Sequence, residues 1–159
     1  ILMLNGLASS YYHYHLSWFG KQLDEITMIF ALYIGTNEIK NVICVKNKRL
    51  YYAYDFYIIT MICINTIPSL NHAFPIMYFL GINYLLYNIY CVTKLIPSIN
   101  AGCLKFSFIG FICWVLSEIF CNKYLFYGHA LWHFLFPLGF INFIENLDRG
   151  LLFRHWSIE

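Results

Sequence analysis

Long apolar runs alternate with short polar breaks along the whole chain, giving six candidate spans at about 1–18, 23–37, 54–70, 73–93, 101–121 and 124–145. In an apolar medium each backbone N–H and C=O must find a partner within the segment, so continuous runs of this kind predict helices. The period-two alternation of a membrane barrel is missing from the pattern. The second run is short for a crossing unless it continues through EIKNVICV at 38–45. Breaks fall at Gly20-Lys21, at KNKR (46–49), at Ser69 to His72, at 94–100 and at Asn122-Lys123, each carrying turn or charge signals. The pattern therefore predicts an all-α, polytopic transmembrane bundle over 1–145, followed by a polar tail at 146–159.

Composition strengthens this reading. The 159 residues are 60% hydrophobic and only 11% charged, against about 25% charged in soluble domains. A spanning helix needs about 20 largely apolar residues, so six spans leave no room for a separate soluble domain. The net charge is +2 and the basic residues are scattered, without the stripe that nucleic-acid binding requires. If the spans alternate in direction, Lys40, Lys46, Lys48, Arg49, Lys94, Arg149 and Arg154 share one side. Lys21 and Lys123 stand on the other, and Lys105 lies just inside the fifth span. The positive-inside rule then puts the carboxyl tail in the cytoplasm. Cys44, Cys63, Cys91, Cys103, Cys113 and Cys121 lack metal spacing and read as small packing residues. The first apolar run has neither a basic leader region nor a cleavage site, and the start reads as truncated rather than processed.

Ionisable residues inside such spans are expensive and mark functional interiors. His129 and His133, in GHALWHF, stand one helical turn apart on one face and can bind one metal ion. His13 ends the first span, with Ser9 on the same face four residues earlier, and Asp24 opens the second span. In the alternating topology these stretches lie at similar depth on the non-cytoplasmic side. Three histidines with one open position form the ligand set of a catalytic zinc site, with Asp24 as general base or as a group orienting a ligand. The alternative for any one histidine is a hydrogen bond across the bundle. His15 points away from His13, Glu25 serves the turn or helix start, and Glu118 is an interfacial carboxylate or an outer partner of the site. His72 and His155 have no constellation around them.

Ser9-x-x-x-His13, followed by Leu16-Ser17, Gly20 and Leu23-Asp24-Glu25, resembles a pattern of the alkaline ceramidases. So does His129-Ala130-Leu131-Trp132-His133 near the start of the last span, with Cys113-Trp114 upstream. That family sits in a wider superfamily of membrane hydrolases with the progestin and adiponectin receptors and the GPI-lipid remodelling enzymes. The resemblance implies a seven-helix bundle, of which the six spans here are helices 2–7. It implies zinc held by His13, His129 and His133, with Ser9 and Asp24 as catalytic residues beside the metal. The implied reaction is hydrolysis of the N-acyl amide of ceramide, a membrane lipid, to a sphingoid base and a fatty acid in the endoplasmic reticulum or Golgi. Asp24 would accept a proton from water, and Ser9 would stabilise the oxyanion. Two departures stand out. Ser117-Glu118 occupies the place of the family's Asp-Arg pair, and its first helix and the acidic segment that binds calcium have no counterpart, so no Ca2+ site is expected. The alternatives are a GPI-lipid remodelling hydrolase and a non-catalytic receptor or scaffold of the same superfamily.

Overall fold

A computed structural model describes residues 2–43, 48–96, 99, 101–120 and 126–156. Among these residues the protein is entirely helical, with no strand. The α-helices are α1 (Leu2–His15), α2 (Trp18–Ile43), α3 (Lys48–Thr66), α4 (Phe74–Leu95), α5 (Lys105–Phe120) and α6 (Phe126–Trp156). Short 3-10 turns at Asn71–Ala73 and Ala101–Leu104 lead into α4 and α5. The expected breaks at 46–47 and 122–123, the span ends at 121 and 124, and Cys44 and Cys121 lie outside the described residues, as do the side chains of Cys103, Glu118, Arg149, Arg154 and His155. Cys63, Cys91 and Cys113 are free thiols; Cys63 is exposed, not packed in the interior, and the other two are half-buried.

The six apolar runs correspond to the six α-helices, with differences in extent: the expected break at Gly20-Lys21 lies inside α2, which already starts at Trp18, and Lys48-Arg49, expected in a connection, begin α3. The second run continues as helix through Ile43, because EIKNVI carries neither glycine nor proline to stop it. The last helix does not end near 145 but runs on to Trp156, covering most of the stretch expected to be a tail. Among the described residues one helix, Asn71–Leu95, is long and apolar enough to cross a membrane, and the apolar stretch Lys105–Ser117 is shorter. Two helices fall short of about 20 residues, α1 with 14 and α5 with 16. In α2 and α3 the apolar windows are broken by Lys21, Asp24, Glu25, Glu38 and Lys40, and by Lys48, Arg49 and Asp55.

The chain divides into two compact units, Ile1–Val92 and Thr93–Glu159. In the first, α1 and α2 form a tight hairpin. Leu16 takes a left-handed φ of 48°, and the chain reverses at once. Ser17 then caps α2, its Oγ accepting from the Gly20 N–H at 3.0 Å, which meets one of the orphan donors at a helix start. A Cβ at position 20 would stand 3.0 Å from Tyr12 Cα, so glycine is what lets α2 pass this close to α1. Further along, Met28, Ile29, Leu32 and Ile39 of α2 are buried, as are Ile58 and Met61 of α3 and Tyr78, Ile82 and Leu85 of α4. Tyrosine hydroxyls tie these helices at their backbones: Tyr54 donates to Leu32 O at 3.2 Å, and Tyr57 donates to Met77 O.

The second unit is built on the α5–α6 pair. Small residues let two helices approach closely in an apolar setting. A Cβ on Gly128 would lie 2.8 Å from the Cys113 carbonyl oxygen, and one on Gly139 would run into the backbone nitrogen of Ser107. Ser107 Oγ donates to Phe136 O at 2.7 Å, locking the pair one turn before Gly139. Phe111, Trp114 and Trp132 are buried, with the Trp114 and Trp132 rings 5.9 Å apart. Gly139→Ala should therefore force α5 from α6 and destabilise the protein by about 1–3 kcal/mol, the usual range for overpacking, read as a lower midpoint of thermal unfolding.

Candidate metal centre

Each half of the predicted constellation is set by local helical structure. On α1, Asn5 and Ser9 are buried and His13 is half-buried. Steps of four residues place these side chains on one face of the helix. The hairpin then returns the chain so that Asp24, in the second turn of α2, packs against this face. Asp24 is 2% exposed. Asn5 Nδ2 donates to Thr27 Oγ1 at 3.0 Å and reaches Asp24 Oδ1 and Asp24 O, each at 3.4 Å. Thr27 Oγ1 donates in turn to Asp24 O at 2.8 Å. The carboxylate is thus held by a polar link from the opposite helix.

On α6, His129 and His133 stand one turn apart with ring centroids 4.9 Å from each other and planes inclined by 45°. The buried Trp132 between them packs in the aromatic cluster with Phe111 and Trp114, about 60° round the helix from His129 and about 100° from His133. Gly128, just before His129, allows this end of α6 to lie close to the α5 backbone.

His13, Asp24, His129 and His133 form a group that could hold a metal ion: each offers one ligand atom, and these atoms all lie within 4.8 Å of one another. Atoms bound to one ion at about 2.0–2.1 Å can be no more than about 4.2 Å apart. Three imidazole nitrogens suit a catalytic zinc ion, which takes three protein ligands and keeps one position open, with the Asp24 carboxylate beside them. Ser9 is buried four residues before His13 and is not one of the group. His15 is exposed, its ring 4.5 Å from Tyr11 and 4.8 Å from Tyr14, as its position two residues from His13 requires. His72 is exposed as well.

Glu25, expected to serve the turn or the helix start, is part of a buried network at the start of α2. It is 8% exposed, accepts from Asn71 Nδ2 at 2.9 Å, and lies 3.6 Å from Lys21 Nζ. Lys21 donates to Asn71 Oδ1, closing a three-residue network that anchors the start of α2 to the turn before α4. Asn5 was missing from the sequence reading, although the polar series Asn5, Ser9, His13 at steps of four within an apolar run was its visible signal. Asn5→Leu should cost about 1–3 kcal/mol of stability, because buried acceptors on Asp24 and Thr27 lose their donor; thermal unfolding against the wild type reads this directly.

Comparisons with protein-family models, with curated proteins and with solved structures find no match to this chain.

Proposed function

We propose that this chain is a zinc-dependent membrane amidohydrolase that cleaves the N-acyl amide of ceramide to a sphingoid base and a fatty acid. The observation that carries the reading is the gathering of three imidazoles and one carboxylate, from residues more than a hundred positions apart, to within 4.8 Å. The same residues are those through which the sequence resembles the alkaline ceramidases, and the reading extends to a polytopic bundle of the endoplasmic reticulum or Golgi with the carboxyl end in the cytoplasm. A large exposed apolar surface supports the membrane setting: Met3 is 78% exposed, Phe56 72% and Phe134 68%, side chains suited to lipid contact.

In this mechanism His13, His129 and His133 hold the ion. When bound, zinc polarises the amide carbonyl and brings the pKa of water to about 7. Asp24 takes a proton from the attacking water as the new C–O bond forms, and returns it to the amide nitrogen as the C–N bond breaks. The Ser9 hydroxyl donates to the oxygen that gains charge. Asn5 keeps the Asp24 carboxylate aimed during both transfers. A ceramide enters from the lipid side, so its two chains never leave an apolar environment.

The wild-type protein should carry one zinc per chain by elemental analysis and should hydrolyse ceramide. His133→Ala should lose both metal and activity; unchanged metal content together with unchanged hydrolysis would overturn the reading. Asp24→Asn separates the two roles, since activity should fall by roughly 10²–10⁴-fold, the range for loss of a general base, while three imidazoles still retain zinc. Chelation should lower the unfolding midpoint and zinc should restore it, by about 2.7 kcal/mol at a hundredfold excess over Kd.

A further inference from the structure

Within the first unit, α2 buries a further ionisable side chain, besides Asp24 and Glu25, that the metal chemistry does not use. Lys40 is 0% exposed, and its Nζ has no hydrogen-bond partner among the described residues. Tyrosine rings surround it instead, with centroids at 4.2 Å (Tyr54), 4.7 Å (Tyr51) and 5.5 Å (Tyr84). These rings support one another: Tyr54 stacks on Tyr33 at 6.1 Å and meets Tyr84 at 5.3 Å. Ring faces attract an ammonium group electrostatically, but they do not meet its need for hydrogen-bond acceptors, and a buried cation lacking acceptors is unfavourable.

The cage shares two of its walls with a cavity. Tyr54 and Tyr84, together with Leu50, Ala53, Tyr57 and Leu80, line an apolar space of about 240 Å³. That is below the roughly 300–1,000 Å³ of pockets that engulf a drug-sized ligand, and suits a segment of one alkyl chain. A cation short of acceptors and an apolar slot behind the same two rings are complementary to a molecule with an anionic head and an apolar tail.

We propose that this pocket binds a single-chain amphiphile with a carboxylate or phosphate head, the chain in the cavity and the anionic head on Lys40. Because Lys40 is closed off, the head reaches Nζ when Tyr54 or Tyr84 swings aside, a side-chain change of the kind common on binding. The head then supplies charge-assisted acceptors, and the displaced ring lies along the chain. This site stands apart from the amide chemistry, so its test reads binding rather than turnover.

The purified full chain in phosphatidylcholine nanodiscs would be titrated with dodecanoate, dodecyl phosphate and methyl dodecanoate by equilibrium dialysis, with empty discs as baseline. The anions should bind saturably and roughly 10-fold or more tighter than the ester, the range for a hydrogen bond to a charged group; the tighter of the two identifies the preferred head. Lys40→Met should bring both anions to the level of the ester without lowering the unfolding midpoint, since an apolar residue of similar length relieves the buried charge. Ala53→Phe, which fills the cavity and leaves Lys40 in place, should weaken all three probes. Lack of saturable binding, equal binding of anion and ester, an anion preference that survives Lys40→Met, or wild-type binding by Ala53→Phe would each overturn the proposal and leave Lys40 a structural cation held by tyrosine faces.

Discussion

The burial of Asp24 is the constraint on which the candidate site depends. A carboxylate 2% exposed loses most of its hydration, a penalty of several kcal/mol unless hydrogen bonds and opposite charge replace the water. Asn5 and Thr27 fix the backbone and one carboxylate oxygen. A cation held among Asp24 and the three imidazoles would supply the balancing charge at closest range. The neighbouring acid solves its problem differently. Glu25, about 100° further round the helix, finds Lys21 and Asn71. Two adjacent carboxylates thus part company, one joining a structural network and the other a group that could hold a metal ion.

This division clarifies the Ser9 to Glu25 stretch. Leu16, Ser17 and Gly20 serve the hairpin: a left-handed residue to reverse the chain, a hydroxyl to cap α2, and a missing side chain to let the helices touch. His13 and Asp24 belong to the group that could hold a metal ion, and Ser9 is buried on the same face of α1. The hairpin residues fix where Asp24 stands relative to His13, because a change of one residue in the turn would rotate α2 by about 100° and carry the carboxylate off this face. Spacing across the motif is therefore a geometric requirement of the site as well as a local folding signal.

How much of this was legible in the sequence depended on whether the signal was local. The six apolar runs marked six helices, and helical periodicity paired His129 with His133 and separated His13 from His15. Helix ends were less legible, since Glu38 and Lys40 look like the polar end of α2, whereas the helix continues to Ile43. The role of Glu25 was hidden for another reason: its partner Asn71 arrives from the far end of α3. Asn5 was legible in principle from its register with Ser9 and His13, but an asparagine carries little weight until a buried acceptor is seen opposite it.

Lys40 shows where reading by residue type fails most completely. In the sequence it counts toward a charge bias at one end of the bundle, as a lysine facing water does. Its cage comes from Tyr51 and Tyr54 on α3 and Tyr84 on α4, tyrosines that attract no notice in a chain 21% aromatic. Whether a lysine snorkels to solvent or is sealed beneath rings depends on which residues of the neighbouring helices stand over it, and that is a property of packing. The same abundance of tyrosine makes the burial tolerable, because ring faces replace part of the lost hydration where aliphatic side chains would replace none. The aromatic bias of the chain thus permits a buried cation, and the acceptors that the rings cannot provide define the chemistry of what would complete the site.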